Sequence, residues 1–199
     1  MIVATGSSSR LLGVPGEERL VGKGVSHCAS CDGPMLKGKK VIVVGAGDSG
    51  LQEALTLAEY AGEVLVLHPT AEATAQEAYQ KRVREQSKIK VQGNTVIDEI
   101  LGDSVVTGVR VRENGSTREI AADAVFVYAG LQPNAGFLQG IADRDAAGRV
   151  RTDIWMRSSA KGIFAAGDVR ADSASQAVTA AGDGATAAMA ADRYLKGLV

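Results

Sequence analysis

The chain has 199 residues, of which 45% are hydrophobic and only 4% aromatic, with a net charge of −1. It is long enough for one domain or two small ones, and aliphatic and alanine side chains must fill its core. A near-neutral chain offers no basic face to nucleic acid or another polyanion. No apolar run reaches the roughly 18 residues of a membrane-spanning helix. The opening Met1-Ile2-Val3-Ala4-Thr5-Gly6 lacks the basic and long apolar regions of a signal peptide. These features predict a cytoplasmic protein.

Ile2-Val3-Ala4 reads as a short strand broken by Thr5-Gly6-Ser7-Ser8-Ser9. Gly13 to Gly24 is glycine-rich and suits a loop. Then come the chain's two cysteines, in Cys28-Ala29-Ser30-Cys31-Asp32-Gly33. A βαβ unit follows: strand 41–44, glycine turn 45–50, a helix over about 51–61 and strand 64–67. Leu51, Ala54, Leu55, Leu57 and Ala58 give that helix one apolar face. A second, polar helix is expected over about 74–86. Strand patterns at 96–101, 105–111 and 118–120 read as an antiparallel meander, with Asn114-Gly115 as a hairpin turn. Val125-Phe126-Val127-Tyr128 reads as a buried strand. Strand-like Ile163-Phe164-Ala165-Ala166 leads into Gly167-Asp168-Val169. An alanine-rich helix is expected over about 175–195, with Ser175 as its cap.

The chemistry concentrates in two stretches. In Gly45-Ala46-Gly47-Asp48-Ser49-Gly50, Gly45 permits a tight turn out of the strand. Gly47 lets backbone approach a pyrophosphate, and Gly50 allows the helix to pack closely. Backbone N–H groups of Asp48, Ser49 and Gly50 at the helix start would face the anion. A glycine-rich βα turn without a ligand is the alternative. The CxxC pair ahead of it is a redox motif, half of a zinc site, or two inert buried cysteines. The zinc reading fails for want of ligands, because His27 and His68 are the only histidines. Beside the pair, His27 could bias Cys28 toward thiolate. Together the two stretches point to electrons moving between a nucleotide and a disulfide.

The run from His27 to Gly50 resembles the low-molecular-weight, bacterial-type thioredoxin reductases, which carry CxxCD-G, a strand and then GxGxx(G/A). Ala4-Thr5-Gly6 and Gly167-Asp168-Val169 with its following helix extend the resemblance over nearly the whole chain. It implies an α/β fold. A Rossmann-like, three-layer NAD(P)-binding domain, residues 14–129, would be inserted in an FAD-binding domain made of residues 1–13 and 130–199. Cys31 would face the flavin, Cys28 would attack a protein substrate, and Asp32 would manage the proton. Asp168, after Gly167, would bind the ribityl chain of FAD, with Gln176 and Ala177 opening the helix aimed at the flavin.

Two departures stand out. The family's first GxGxxG, which would hold the FAD pyrophosphate, has no counterpart, so the FAD domain is incomplete. NADPH-dependent members carry an HRR motif and a further arginine for the 2′-phosphate. Here His68 is followed by Pro69 and Thr70, with Thr74 beyond. Glu72 would repel a phosphate, and Ser175 replaces an arginine of the family's Arg-Gln-Ala.

The reading is a disulfide oxidoreductase. It would pass electrons from NADP- or NAD-type cofactors through FAD to Cys28–Cys31 and a thioredoxin-like small dithiol protein. A homodimer, or a partner supplying the N-terminal FAD-binding half, is expected. The alternative is a non-catalytic nucleotide- or partner-binding redox module.

Overall fold

The computed structural model describes residues 1–198. The chain divides into two compact units: a continuous central one, Arg10–Gly130, and an outer one made of Met1–Ser9 and the segment from Leu131 onward. Arg10 N–H donates to the Gly130 carbonyl at 2.9 Å, which ties the ends of the central unit together. The outer unit opens with β1 (Ile2–Val3) and β2 (Ser7–Ser9).

The central unit contains β3 (Val25–Ser26), α1 (Ala29–Asp32), β4 (Lys40–Val44), α2 (Asp48–Ala58), β5 (Glu63–Leu67), α3 (Glu77–Glu85), β6 (Ile89–Gln92), β7 (Thr95–Leu101), β8 (Gly108–Glu113), β9 (Ser116–Ala121) and β10 (Ala124–Val127). Five strands form a parallel sheet in the order β3-β10-β4-β5-β6, and β7-β8-β9 form an antiparallel meander. Side chains alternate across a strand, and here both faces are buried. Val41, Val43, Val64, Val66, Ala124 and Phe126 pack toward Leu51, Ala54 and Leu57 of α2. Ile42, Val44, Leu65, Leu67, Val125 and Val127 pack toward Ile97, Ile100, Val109 and Val111 of the meander. The result is three layers: meander, parallel sheet, helices. A parallel strand covered on both sides reads as a continuous apolar run, which is why β4, β5 and β10 stand out in the sequence.

Several bounds differ from expectation. α2 begins at Asp48, inside the glycine turn, and ends at Ala58. α3 begins only at Glu77 because the preceding segment is tied back to that turn. Thr74 and Ala75 N–H donate to the Ala46 carbonyl at 3.0 and 3.1 Å, and the Asp48 carboxylate accepts from Gln76 N–H at 2.7 Å and Gln76 Nε2 at 2.6 Å. Strand β8 starts at Gly108, since Thr107 N–H still closes a turn to the Leu101 carbonyl.

The outer unit adds β11 (Leu131–Pro133), antiparallel to β2, and β12 (Phe164–Ala165), parallel to β1. It ends in α4 (Ala177–Leu195), whose buried residues are Asp183, Ala187 and Ala190. Val178, Met189 and Leu195 of α4 are exposed. Ser175 is not the cap: its φ of +51° departs from the extended backbone a cap needs, and Gln176 takes that position without a side-chain bond. Among the described residues, no helix is long and apolar enough to cross a membrane.

Candidate functional site

Cys28 and Cys31 form a disulfide across α1, with Cα atoms 5.3 Å apart. Hydrogen bonds hold the short loop on every side. Cys28 N–H donates to Ser26 Oγ at 3.1 Å, and Cys31 N–H to Cys28 Sγ at 3.3 Å. Ala29 N–H donates to the Tyr128 hydroxyl at 3.2 Å. Asp32 closes the helix, its N–H on the Cys28 carbonyl at 3.1 Å. Cys31 is exposed, while Cys28 and Asp32 are half-buried. His27 Nδ1 lies 3.2 Å from the Val127 carbonyl. A carbonyl only accepts, so Nδ1 carries the proton and the ring is anchored to the end of β10.

The Gly45–Gly50 turn lies at the carboxyl end of β4, beside a cleft of about 390 Å³. Its glycines divide the work. A Cβ on Gly45 (φ +109°) would stand 2.2 Å from the Tyr128 carbonyl oxygen, and one on Gly50 would stand 2.1 Å from the Gly45 oxygen. Both are required by the fold itself. Gly47 is different: its nearest neighbour would be Thr74 Oγ1 at 3.7 Å, so the space over it is cleft. Gly47 is also the N-cap of α2 and contributes no side-chain bond. The first N–H groups of the helix, on Asp48, Ser49 and Gly50, are thus left for an anion. The Asp48 carboxylate itself is turned to Gln76. The cleft fits the pyrophosphate of a dinucleotide.

His68 lines the same cleft and is 4% exposed. Its Nδ1 lies 3.0 Å from Thr70 Oγ1, whose own proton goes to the Glu72 carbonyl at 2.8 Å. The hydroxyl therefore accepts from His68, which fixes the Nδ1–H tautomer. Burial pushes the His68 pKa below its ordinary value, so the ring is neutral near pH 7. Among the described residues, no Lys or Arg lines this cleft.

In the outer unit, Gly6, Gly167, Asp168, Gln176 and Ala177 line a second cleft of about 440 Å³. Gly167 has φ +76°, and its N–H donates to the Asp183 carboxylate at 3.1 Å. Arg170 donates to the same carboxylate through Nε at 2.6 Å and Nη2 at 3.0 Å. Ser7 Oγ donates to the Asp168 carbonyl at 3.2 Å. The cleft supplies a half-buried Asp168 for a hydroxylated chain. The sequence contains no second glycine fingerprint for a flavin pyrophosphate. FAD is therefore fitted in part.

Three residues with structural or electrostatic roles escaped the sequence reading. Asp183 holds the Gly167 turn, and the only sequence signal was a charge between two glycines of an alanine-rich helix. Glu17 is buried and accepts from Leu12 N–H at 3.0 Å and Gly13 N–H at 2.8 Å. Glu53 is half-buried on α2, with its Oε2 enclosed and without a hydrogen-bond partner.

The thioredoxin reductase of Treponema pallidum (strain Nichols) is 43% identical over 98% of this chain and 64% of its own length. That of Listeria monocytogenes is 42% identical over 100% of this chain and 63% of its length. The crystal structure of Lactococcus lactis thioredoxin reductase superposes with a TM-score of 0.91 at 39% identity, covering 99% of this chain and 66% of that one. This chain thus spans less than two thirds of the length of these curated relatives. The family described as pyridine nucleotide-disulphide oxidoreductase matches residues 1–184. With a disulfide and a dinucleotide-type turn in one unit, the chain belongs to the pyridine nucleotide-disulphide oxidoreductase family.

Proposed function

We propose that this chain is the dithiol- and nucleotide-bearing part of a thioredoxin-reductase-like enzyme of the cytoplasm. Tyr128 carries the reading, because it touches both functional elements. Its hydroxyl takes the Ala29 N–H inside the CxxC loop, and its backbone packs on Gly45 at the nucleotide turn. One residue thus joins the two stretches whose pairing first pointed to redox chemistry.

Gly45, Gly47 and Gly50 shape the turn, and the N–H groups of Asp48, Ser49 and Gly50 bind the dinucleotide pyrophosphate. His68 borders the same cleft. Gly167, Asp168, Gln176 and Ala177 form the part of the flavin site present here. When bound, the nicotinamide and flavin supply the two electrons that reduce Cys28–Cys31. The reduced Cys28 thiolate attacks the disulfide of a small dithiol protein and forms a mixed disulfide. The Cys31 thiolate then attacks Cys28 Sγ and restores the intramolecular bond, and the partner leaves as a dithiol. Asp32 holds or releases the proton beside the pair. The second half of the flavin site comes from an N-terminal FAD-binding part, and the assembled enzyme is a homodimer.

A 2′-phosphate is held by basic side chains, commonly bidentate arginine, and His68 is neutral here. NADH and NADPH are expected to bind with affinities within tenfold of each other, about 1.4 kcal/mol. Calorimetric titration of both checks this. Gly47→Ala fits the fold, since its methyl meets nothing closer than 3.7 Å, yet it points into the cleft. It is expected to weaken both nucleotides by about tenfold or more. A strong NADPH preference, or unchanged binding in the variant, would place the nucleotide elsewhere.

A further inference from the structure

His68 leaves one ring nitrogen without a task. Its backbone is pinned on both sides at the carboxyl end of β5. The His68 N–H donates to the Gln92 carbonyl at 3.2 Å, and the His68 carbonyl accepts from Thr95 N–H at 2.9 Å. The Nδ1–H goes to Thr70 Oγ1. Nε2 is then a bare lone pair, and among the described residues it has no hydrogen-bond partner. Nor is it sealed in the core. The enclosed side-chain atoms without a partner are Glu53 Oε2, Thr152 Oγ1 and Arg157 Nε. Nε2 therefore keeps contact with open space in a residue that is otherwise buried.

Two hollows meet at this ring. One is the cleft of the Gly45–Gly50 turn, shared with Gly45, Gly47 and Thr70. The other, about 280 Å³, is shared with Glu72, Gln80 and Arg84. Arg84 is ion-paired with Glu77, and Glu72 would repel a phosphate. In a dinucleotide fold, a residue beyond the glycine turn reads the adenosine ribose. An Asp or Glu there accepts from the ribose hydroxyls, and a nearby arginine takes a 2′-phosphate instead. His68 holds that place, directly after β5. It offers an acceptor, as a carboxylate would, without the charge. Burial lowers its pKa, which keeps the lone pair free at neutral pH.

We propose that His68 Nε2 accepts a hydrogen bond from the adenosine 2′-hydroxyl and so tilts the cleft toward NADH. The inference rests on the reading of this cleft as the dinucleotide site. A 2′-phosphate dianion has no proton to give, and it would set its oxygens against the lone pair. Moving the ring proton from Nδ1 to Nε2 would supply a donor, but at a cost. Thr70 would have to turn its own proton to Nδ1 and abandon the Glu72 carbonyl, which it bonds at 2.8 Å. Thr70 is therefore a positioning residue, which sets the ring nitrogen that meets the nucleotide as an acceptor.

Titration calorimetry at pH 8 and nitrogen-15 NMR of the two histidine rings, both on the full chain, test this. The wild type is expected to bind NADH about fivefold more tightly than NADPH, the size of one ordinary hydrogen bond. His68→Leu should lose that factor for NADH, leave NADPH within about twofold and bind the two alike. His68→Gln, whose amide oxygen can accept, should keep most of the preference, and Thr70→Val should narrow it. In the spectra, His68 Nδ1 should carry the proton. The Nε2 resonance should move upfield with NADH and stay in place with NADPH. Equal weakening of both nucleotides in a folded His68→Leu, or none, overturns the proposal. So does an Nε2 signal that NADH does not move, whether or not any variant folds. If Gly47→Ala weakens both nucleotides but His68 does not tell them apart, only this inference falls. A wild-type chain that binds neither removes the dinucleotide reading as well.

Discussion

These 199 residues, mixed with excess FAD, NADH or NADPH and thioredoxin, are expected to give no turnover above background. Flavin must stay bound while electrons arrive and leave. The outer unit offers the Asp168 cleft and the Gly167 turn, but the sequence lacks the glycine turn that would meet the flavin pyrophosphate. Helix-terminus contacts to that anion are a large part of dinucleotide binding. Losing them costs several kcal/mol, and each 1.4 kcal/mol or so is tenfold in affinity. The chain covers 64% of the length of the Treponema relative. Adding a separate N-terminal FAD-binding part should restore NAD(P)H oxidation. Rates near the 10 s⁻¹ or so typical of enzymes from these residues alone would contradict the partial-site account. They would also rule out the non-catalytic redox module.

Asp183→Ala is expected to destabilise the outer unit by about 3–5 kcal/mol, the usual cost of breaking a buried ion pair from one side. The side chains of Arg170 and Asp183 are 16% and 10% exposed. Removing the carboxylate strands a guanidinium and the Gly167 N–H together. Trp155, the single tryptophan, lies in this unit, so its fluorescence in urea reads the loss. Asp183→Asn keeps an acceptor for Gly167 and should lose less. The hydrogen bond from Arg170, more than any other influence, holds the Asp183 carboxyl below the usual range. A carboxylate depressed in the folded state contributes stability above its unfolded value of about 3.9 and loses it as pH falls through the folded one. The difference between wild type and Asp183→Asn should therefore shrink in acid. A loss under about 1 kcal/mol for Asp183→Ala would show that the pair is solvated.

The parts of the fold legible in sequence were those that one local rule decides. Val41-Ile42-Val43-Val44 and Val64-Leu65-Val66-Leu67 announced buried parallel strands, and Asn114-Gly115 announced its hairpin. β6 was missed because Ile89-Lys90-Val91-Gln92 lies at the sheet edge, where half of its side chains meet water. β3 is two residues long and has no pattern to show. The start of α3 escaped because tertiary bonds to Ala46 and Asp48 override local helical preference. For Ser175, residue type favoured a cap and the backbone angle decided otherwise. In the candidate site, spacing alone exposed Cys28, Cys31 and the Gly45–Gly50 turn. Glu17 and Asp183 were invisible because a buried acid is defined by what the fold brings to it.

Free-thiol counting tests the redox role of the Cys28–Cys31 loop most directly. The air-oxidised chain is unfolded and titrated with a thiol reagent, before and after reduction with dithiothreitol. A disulfide between Cys28 and Cys31 predicts no free thiol before reduction and two after it, with the protein monomeric on a non-reducing gel. Two free thiols in the air-oxidised protein, or a disulfide that links two chains, would contradict it.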